Sequence, residues 1–481
     1  MHPKSKVSND FKRRLGLIDA TSIVSGSMIG SGIFIVSSYM IRDVGSVGWM
    51  LVLWAATGII TLMAALSYGE LAAMMPEAGG QYVYIKRAYG NMLSFLYGWT
   101  VFSVIQTGVI AAVAVAFAKY AAVFFPVLDQ PLCQLMDFVV TSGQLVAVGS
   151  VILLTYSNTR GVENGKVIQL LFTGAKFLAL SVLIVYGIYL GFGSATSANN
   201  FTDVWNTSGA KGSMGDALTG FALIGVLGAT IINSLFSSDA WNNVTFIAGE
   251  IKDPKRNLPR SLILGTLIVT ATYLLCNIAY LCLLPAKGDP TATDPVLQQG
   301  IMHAAQDRVG AAAAYVMFGN VGVFFMAALI MVSTFGCNNG LILSGSRLFY
   351  AMSKDGLFFK RASHLNQAGV PAVSLWVQCI WACVLCLSGK YSDLLVYSTF
   401  ASLIFYILTI LAVIVLRKRE PDAERPYKLK GYPYIPIIYC LITIFICVDL
   451  VIYDWKNTGI GILIVLLGLP VYYFTQKRIN S

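Results

Sequence analysis

Charge is scarce in this chain. Only 12% of its 481 residues are Asp, Glu, Lys or Arg, where a soluble domain carries about 25%. That shortage excludes a water-soluble globular fold, and the 57% of hydrophobic residues with a mean hydropathy of +0.71 points to a polytopic membrane protein. Histidine is rarer still. His2, His303 and His364 all lie outside the apolar runs, and none stands beside a Cys or carboxylate pair in a ligand spacing. A membrane-embedded enzyme would need paired catalytic groups at one depth, so no catalytic residue, metal or cofactor is expected. The nine cysteines are an odd number, and all but Cys133 fall in apolar runs, where they read as small core hydrophobes rather than a disulfide framework. Cys379, Cys383 and Cys386 share a helix face, but a zinc site draws ligands from more than one element, so packing is the preferred reading. The polar, basic N-terminus enters a span without a small-residue cleavage site, so no leader is expected to be removed. Long soluble tails that would favour signalling are also lacking. The formal charge of +10 is spread over short loops, which suits membrane topology better than nucleic acid.

Runs long enough to cross roughly 30 Å of hydrocarbon lie near 19–40, 47–74, 90–125, 139–156 and 166–190, then 216–249, 258–284, 312–348, 372–388 and 392–416, with two more at 434–453 and 458–475. An even number of spans puts both termini on one side. With the N-terminus inside, the inside connections hold 25 of the 33 Lys and Arg residues and the outside ones 6, leaving Lys119 and Lys176 within spans. Positive charge is retained on the cytoplasmic side, so both termini are expected there, with the protein in a plasma or inner cell membrane. The expected organisation is a cytoplasmic tail at 1–18, a five-helix unit at 19–190, a second at 216–416, two further helices at 434–475 and a short cytoplasmic tail at 476–481.

Two spans carry sequence that a helix tolerates poorly. The first contains Gly26, Gly30 and Gly32 between Ser25 and Phe34, and each glycine costs about 1 kcal/mol relative to alanine in a helix interior. The cluster predicts a helix that opens at mid-membrane depth. Opened backbone is tolerated in a bilayer only where it lines a cavity or is buried in protein. The sixth span holds Ser234 to Asn243, the most polar stretch in any apolar run. Because the breaks are five spans apart, a repeated five-helix unit would be inverted in the membrane, and corresponding broken helices point to a transport site. Two unrelated kinks, or glycines kept for close helix packing, are the plainer alternatives.

Ile29-Gly30-Ser31-Gly32-Ile33-Phe34, Tyr68-Gly69-Glu70-Leu71, Gly79-Gly80-Gln81-Tyr82, the loop from Glu250 to Pro259 and Arg347 to Gly356 follow one another between about Leu15 and Arg425. In this combination and order the chain resembles the amino acid-polyamine-organocation transporters, and among them the L-type amino acid transporter branch and its bacterial relatives. The resemblance implies an all-α polytopic fold of twelve transmembrane helices: two inverted, LeuT-like five-helix repeats with helices 1 and 6 discontinuous, plus two C-terminal helices. It also implies alternating access without bound sodium. The expected function is antiport of neutral L-amino acids. A proton-coupled symporter with Lys176 titrating, an antiporter of cationic amino acids or polyamines, and a non-transporting nutrient sensor remain open.

A zwitterionic amino acid needs donors for its carboxylate and acceptors for its ammonium, and an opened helix supplies both. By the resemblance, the amides of Ser31, Gly32 and Ile33 hold the carboxylate, with the Ser31 hydroxyl as a further donor and Gly30 and Gly32 allowing close approach. Carbonyls near Ile29 and across Phe236, Ser237, Ser238 and Asp239 would accept from the ammonium. Phe236 as a gate over substrate is the family's pattern, with Trp241 as a second aromatic neighbour; simple packing is the competing account. Asp239 departs from the family, which has two small residues before the tryptophan. It is either a ligand for the ammonium or a basic side chain, or else Ser237, Ser238 or Asp239 is the N-cap of the resumed helix, and the cap is preferred. Phe400 and Ala401 are candidates for the side-chain pocket. Lys176 lies deep in span five, where a lone cation costs about 2.5–3.5 kcal/mol on insertion scales. In the resembling family a lysine here stands where related transporters bind sodium, bracing spans one and eight, so its expected contacts are carbonyls near Gly26 and the hydroxyls of Ser333 or Thr334. Lys119, near the outer end of span three, is expected to snorkel. Animal members bond a cysteine of this outer loop to a heavy chain. The spacing around Cys133 is not a close match, so a free or buried thiol and no obligatory partner subunit are expected.

Overall fold

The computed structural model describes residues 13–135, 138–211, 216–388 and 391–480. The expected tails at 1–18 and 476–481 lie partly outside these residues. Among the described residues, nine helices are long and apolar enough to cross a membrane. Ser142–Thr159 and the shorter apolar helices Ala372–Leu387 and Thr458–Phe474 take the remaining places in the order. Among the described residues, the helices that answer to the twelve expected spans begin with the broken helix Leu17–Met28 and Gly32–Val44, then Val47–Met74, Asn91–Ala121, Ser142–Thr159 and Val162–Gly191. The sixth is Gly220–Ser237, resumed at Asn243–Phe246, and it is followed by Pro254–Leu283, Val309–Lys354, Ala372–Ser388, Tyr391–Arg419, Tyr434–Tyr453 and Trp455–Asn480. The protein is an all-α polytopic membrane protein.

Three local features differ from the sequence reading. A two-stranded antiparallel hairpin, Pro131–Leu135 with Phe138–Thr141, precedes span four. The β-favouring run at Val139, Val140 and Thr141 belongs to this hairpin, and the helix starts where Thr141 and Gln144 form a reciprocal capping box. The helix Val309–Lys354 is two helices meeting at Gly319, whose φ of 63° suits glycine, so span eight proper begins beyond it. Between spans two and three the expected turn contains a helix, Gln81–Tyr89. It starts from Gly80, where a Cβ would lie 2.2 Å from Thr245 Oγ1.

The inter-span segments hold more than basic anchors. Glu70 accepts from Arg417 Nε and Nη2 at 2.8 and 2.6 Å and from the Leu429 amide at 2.7 Å, tying the end of span two to the end of span ten. Arg347 Nε donates to Glu250 Oε1 at 2.9 Å, with side chains 0% and 2% exposed, and this joins span eight to the segment after span six. Asp355 receives Tyr82 Oη at 2.8 Å and Lys86 Nζ at 2.6 Å. The guanidinium of Arg87, hydrogen-bonded to Glu420, holds that carboxyl below its ordinary range. At the other end of the bundle Asp307 joins Arg42 of span one to Lys119 of span three, the latter at 3.6 Å. Lys119 therefore pairs with a carboxylate, which replaces the expected free snorkelling.

Removing one partner of a buried pair leaves an uncompensated charge, at a cost of about 3–5 kcal/mol. Arg347→Met should accordingly lower the unfolding midpoint of detergent-purified protein sharply. Lys255→Met, at the exposed Lys255–Glu424 pair, should leave it nearly unchanged.

Candidate functional site

The first break leaves Ile29 extended (φ −76°, ψ 92°) and restarts the helix at Gly32 with Ser31 as N-cap. A helix end leaves four carbonyls without intrahelical donors, and here almost every one is met by a side chain from another span. Lys176 Nζ donates to Gly26 O and Ile29 O, both at 2.7 Å. Cys337 Sγ lies 3.0 Å from Ser27 O. Met28 O accepts from Tyr273 Oη at 3.0 Å and from the Gly30 amide at 2.9 Å. Ser333 Oγ approaches Ile29 O and Gly30 O, each at 3.4 Å. Lys176 is 1% exposed. Of the contacts expected of Lys176, the carbonyl of Gly26 is placed, while Ser333 meets it only through the shared acceptor Ile29 O. Thr334 is not among them, because its hydroxyl bonds within its own helix to Ile330 O and Met331 O.

The second break runs from Ser238 to Asn242, with Ala240 at a positive φ of 64°. That conformation is uncommon for a residue with a Cβ and is held only where the surroundings fix it. Asp239 does not cap the resumed helix, and neither do Ser237 or Ser238. The N-cap of Asn243–Phe246 is Asn242, whose side chain donates instead to Gln81 Oε1 at 2.9 Å. The Asp239 carboxylate accepts from Tyr406 Oη of span ten. Tyr406 draws the carboxylate sideways, away from the orphan amides it was expected to satisfy. Trp241 packs edge-on against Tyr68 with ring centroids 4.6 Å apart and tilted against Tyr406 at 5.6 Å.

The two breaks meet. A Cβ on Gly32 would stand 2.2 Å from Ser237 Oγ and 2.7 Å from Ser237 Cβ, while one on Gly30 would meet Cys337 Sγ at 3.2 Å. Close packing, one of the alternatives for the glycines, is therefore realised at Gly32. Ser31 and Ile33 are buried here as well.

Two narrow clefts, each about one water wide, flank the second break. One is lined by Gln81, Tyr97, Gln106, Asp239, Asn243 and Tyr406, and the other includes Thr61, Ser238, Asp239, Trp241, Ser402 and Tyr406. Asp239, Ser238 and Trp241 are thus gathered at the clefts. Ile29 through Ile33, Phe236, Ser237, Phe400 and Ala401 line neither. Phe400 faces span twelve, with its ring 3.2 Å from where a Cβ on Gly461 would be. Ser402 and Tyr406 are the span-ten residues that the sequence reading missed; in a helix apolar nearly all round, a serine and a tyrosine four residues apart are the signal that could have found them. Cys133 lies in the first strand of the hairpin, and its side chain falls outside the described residues.

A family model described as amino acid permease matches residues 15–469, which takes in both breaks and Lys176. The chain belongs to the amino acid permease family. It is 30% identical over 473 residues to the serine/threonine exchanger SteT of Bacillus subtilis, covering 98% of each chain. Human large neutral amino acids transporter small subunit 2 is 30% identical over 475 residues, 96% of this chain and 80% of its own. Mouse b(0,+)-type amino acid transporter 1 is 29% identical over 477 residues, 98% and 90% of the two chains. This permease-family member is therefore a transporter near the L-type branch and not an enzyme.

If Gly32 is required by its contact with Ser237, Gly32→Ala should depress thermal stability and activity together, and Ser237→Gly in the same molecule should restore stability by removing the nearest atoms. Melting curves of the single and double variants check this.

Proposed function

We propose that this permease is a sodium-independent exchanger of neutral L-amino acids working by alternating access, in a cell membrane with both termini cytoplasmic. The observation that carries the reading is the meeting of two opened helices, Met28 to Gly32 and Ser237 to Asn243, beside a lysine that satisfies the first opening's carbonyls. Paired breaks five spans apart support the division into inverted repeats at 19–190 and 216–416. The Lys176 ammonium supplies the positive charge that a bound cation would otherwise bring to those carbonyls, which supports independence from sodium. The exchanger SteT, similar over nearly the whole chain, supports exchange. The excess of Lys and Arg in alternate connections supports the orientation. The spacing around Cys133 supports function without an obligatory heavy chain.

Substrate would bind when spans one and six part. The amides of Ser31, Gly32 and Ile33, at a helix N-terminus whose dipole favours an anion, would then hold the carboxylate. Ile29 O already serves Lys176 and Ser333, so the ammonium would turn toward carbonyls of the second break and toward Asp239. In purified protein reconstituted into vesicles, uptake of labelled neutral amino acid should require unlabelled amino acid inside and be indifferent to replacing sodium with potassium. Uptake into empty vesicles driven by an inward proton gradient would replace exchange with symport. Binding without any flux would replace both with a sensor.

The buried Asp239 favours one second reading, in which a basic side chain is the cargo. Lysine or arginine competing with labelled substrate in wild type, and failing to compete in Asp239→Asn, would establish it. If neutral amino acids alone compete in both proteins, the neutral reading stands.

A further inference from the structure

Span seven, already met at Met28 O, carries a side chain whose hydroxyl lies within hydrogen-bond distance of a terminal carbonyl at each of the two breaks. Tyr273, 1% exposed, places its hydroxyl oxygen 3.0 Å from Met28 O at the end of the first half of span one. The same oxygen lies 2.9 Å from Ser237 O at the end of the first half of span six. A phenol has a single proton to donate, so at any instant it satisfies one of these terminal carbonyls. The ring is fixed by edge-on packing against Trp54 of span two at 5.3 Å. One turn further along, Asn277 donates to Tyr273 O at 2.8 Å and accepts from Ser37 Oγ of the second half of span one at 2.6 Å. Span seven therefore grips both halves of span one and the first half of span six through two residues four apart.

We propose that Tyr273 is a positioning residue that couples the two breaks, its hydroxyl passing between Met28 O and Ser237 O as the helices shift. This rests on the transport reading above. Both acceptors sit at the long end of the range for a hydroxyl donor, at 3.0 and 2.9 Å, so a displacement of either helix end by about half an ångström takes it out of reach. The bond to the other is then the better one, and the arrangement has two states with a shared donor. The two breaks are consequently linked through one donor rather than independent, the phenol holding one carbonyl as it releases the other. Met28 O keeps the Gly30 amide when the phenol turns to Ser237 O, which makes that state accessible without an orphaned carbonyl.

Tyr273→Phe removes the hydroxyl and keeps the ring against Trp54. In reconstituted full-length protein, the dissociation constant for the exchanged amino acid should stay close to that of wild type while turnover falls about tenfold, the size expected for one hydrogen bond lost from a moving step. Tyr273→His, which retains a ring donor, should recover part of the turnover. Unchanged turnover in Tyr273→Phe overturns the proposal. So does a parallel loss of affinity, turnover and melting temperature, which would mark a structural role. If wild type carries no amino acid at all, the transport reading fails, and the coupling is judged by hydrogen exchange in the same proteins. Amides at 29–33 and 238–242 should then lose protection together in Tyr273→Phe, and a change at one stretch alone, or at neither, refutes it.

Discussion

An opened helix in a bilayer must find donors for its free carbonyls inside the protein, and that demand organises this molecule. At the end of Leu17–Met28 the donors are a lysine from span five, a cysteine and a serine from span eight and a tyrosine from span seven. Each unsatisfied group would cost several kcal/mol in hydrocarbon, so spans five, seven and eight are held around span one by the chemistry of its break. Lys176 contributes most distinctively. Its ammonium is stabilised by carbonyl dipoles at a helix C-terminus, where a cation belongs. The buried charge and the open helix each remove the other's penalty.

A second layer fixes the ends of the spans rather than their middles. Glu70 with Arg417, Glu250 with Arg347 and Asp355 with Lys86 link segments far apart in sequence at one end of the bundle, while Asp307 links Arg42 with Lys119 at the other. The first two bury a carboxylate almost completely, so they are rigid joints. The Arg42–Asp307 and Lys119–Asp307 contacts are partly exposed and weaker in water.

Much of this was legible in the residues. Glycine's low helix propensity marked the first break to within a residue or two, the polar run marked the second, and the insertion cost of a lone lysine marked Lys176 as partnered. Positions set by tertiary contact were not legible. Asp239 looked like a cap because a carboxylate near a restarting helix is usually one, and nothing local reports that Tyr406, 167 residues away, holds it. Phe400 and Ala401 line neither cleft for a related reason: span ten is so largely apolar that its hydrophobic residues alone do not say which face meets span twelve, and only the spacing of Ser402 and Tyr406 marks the face toward the clefts. Tyr273 sits in an apolar run, where a tyrosine raises no local conflict. Its role depends wholly on two carbonyls 245 and 36 residues distant.

The contact between Gly32 and Ser237 bears on how the site can work at all. With a Cβ-sized space missing between them, nothing as large as a carboxylate fits between Gly32 and Ser237 while the two spans stay in touch; on the function proposed above, this is the site shut, and its opening separates Gly32 from Ser237. Ser237 O is also bound to Tyr273, and Lys176 stays with the carbonyls of the first half of span one, across the break from Gly32. The two halves of span one are held by different partners: the first by Lys176, Cys337 and Tyr273 at its terminal carbonyls, the half beginning at Gly32 by Ser237 at its start and by Asn277 through Ser37. The glycines that made the helix weak at this point are what allow its two halves to belong to different bodies.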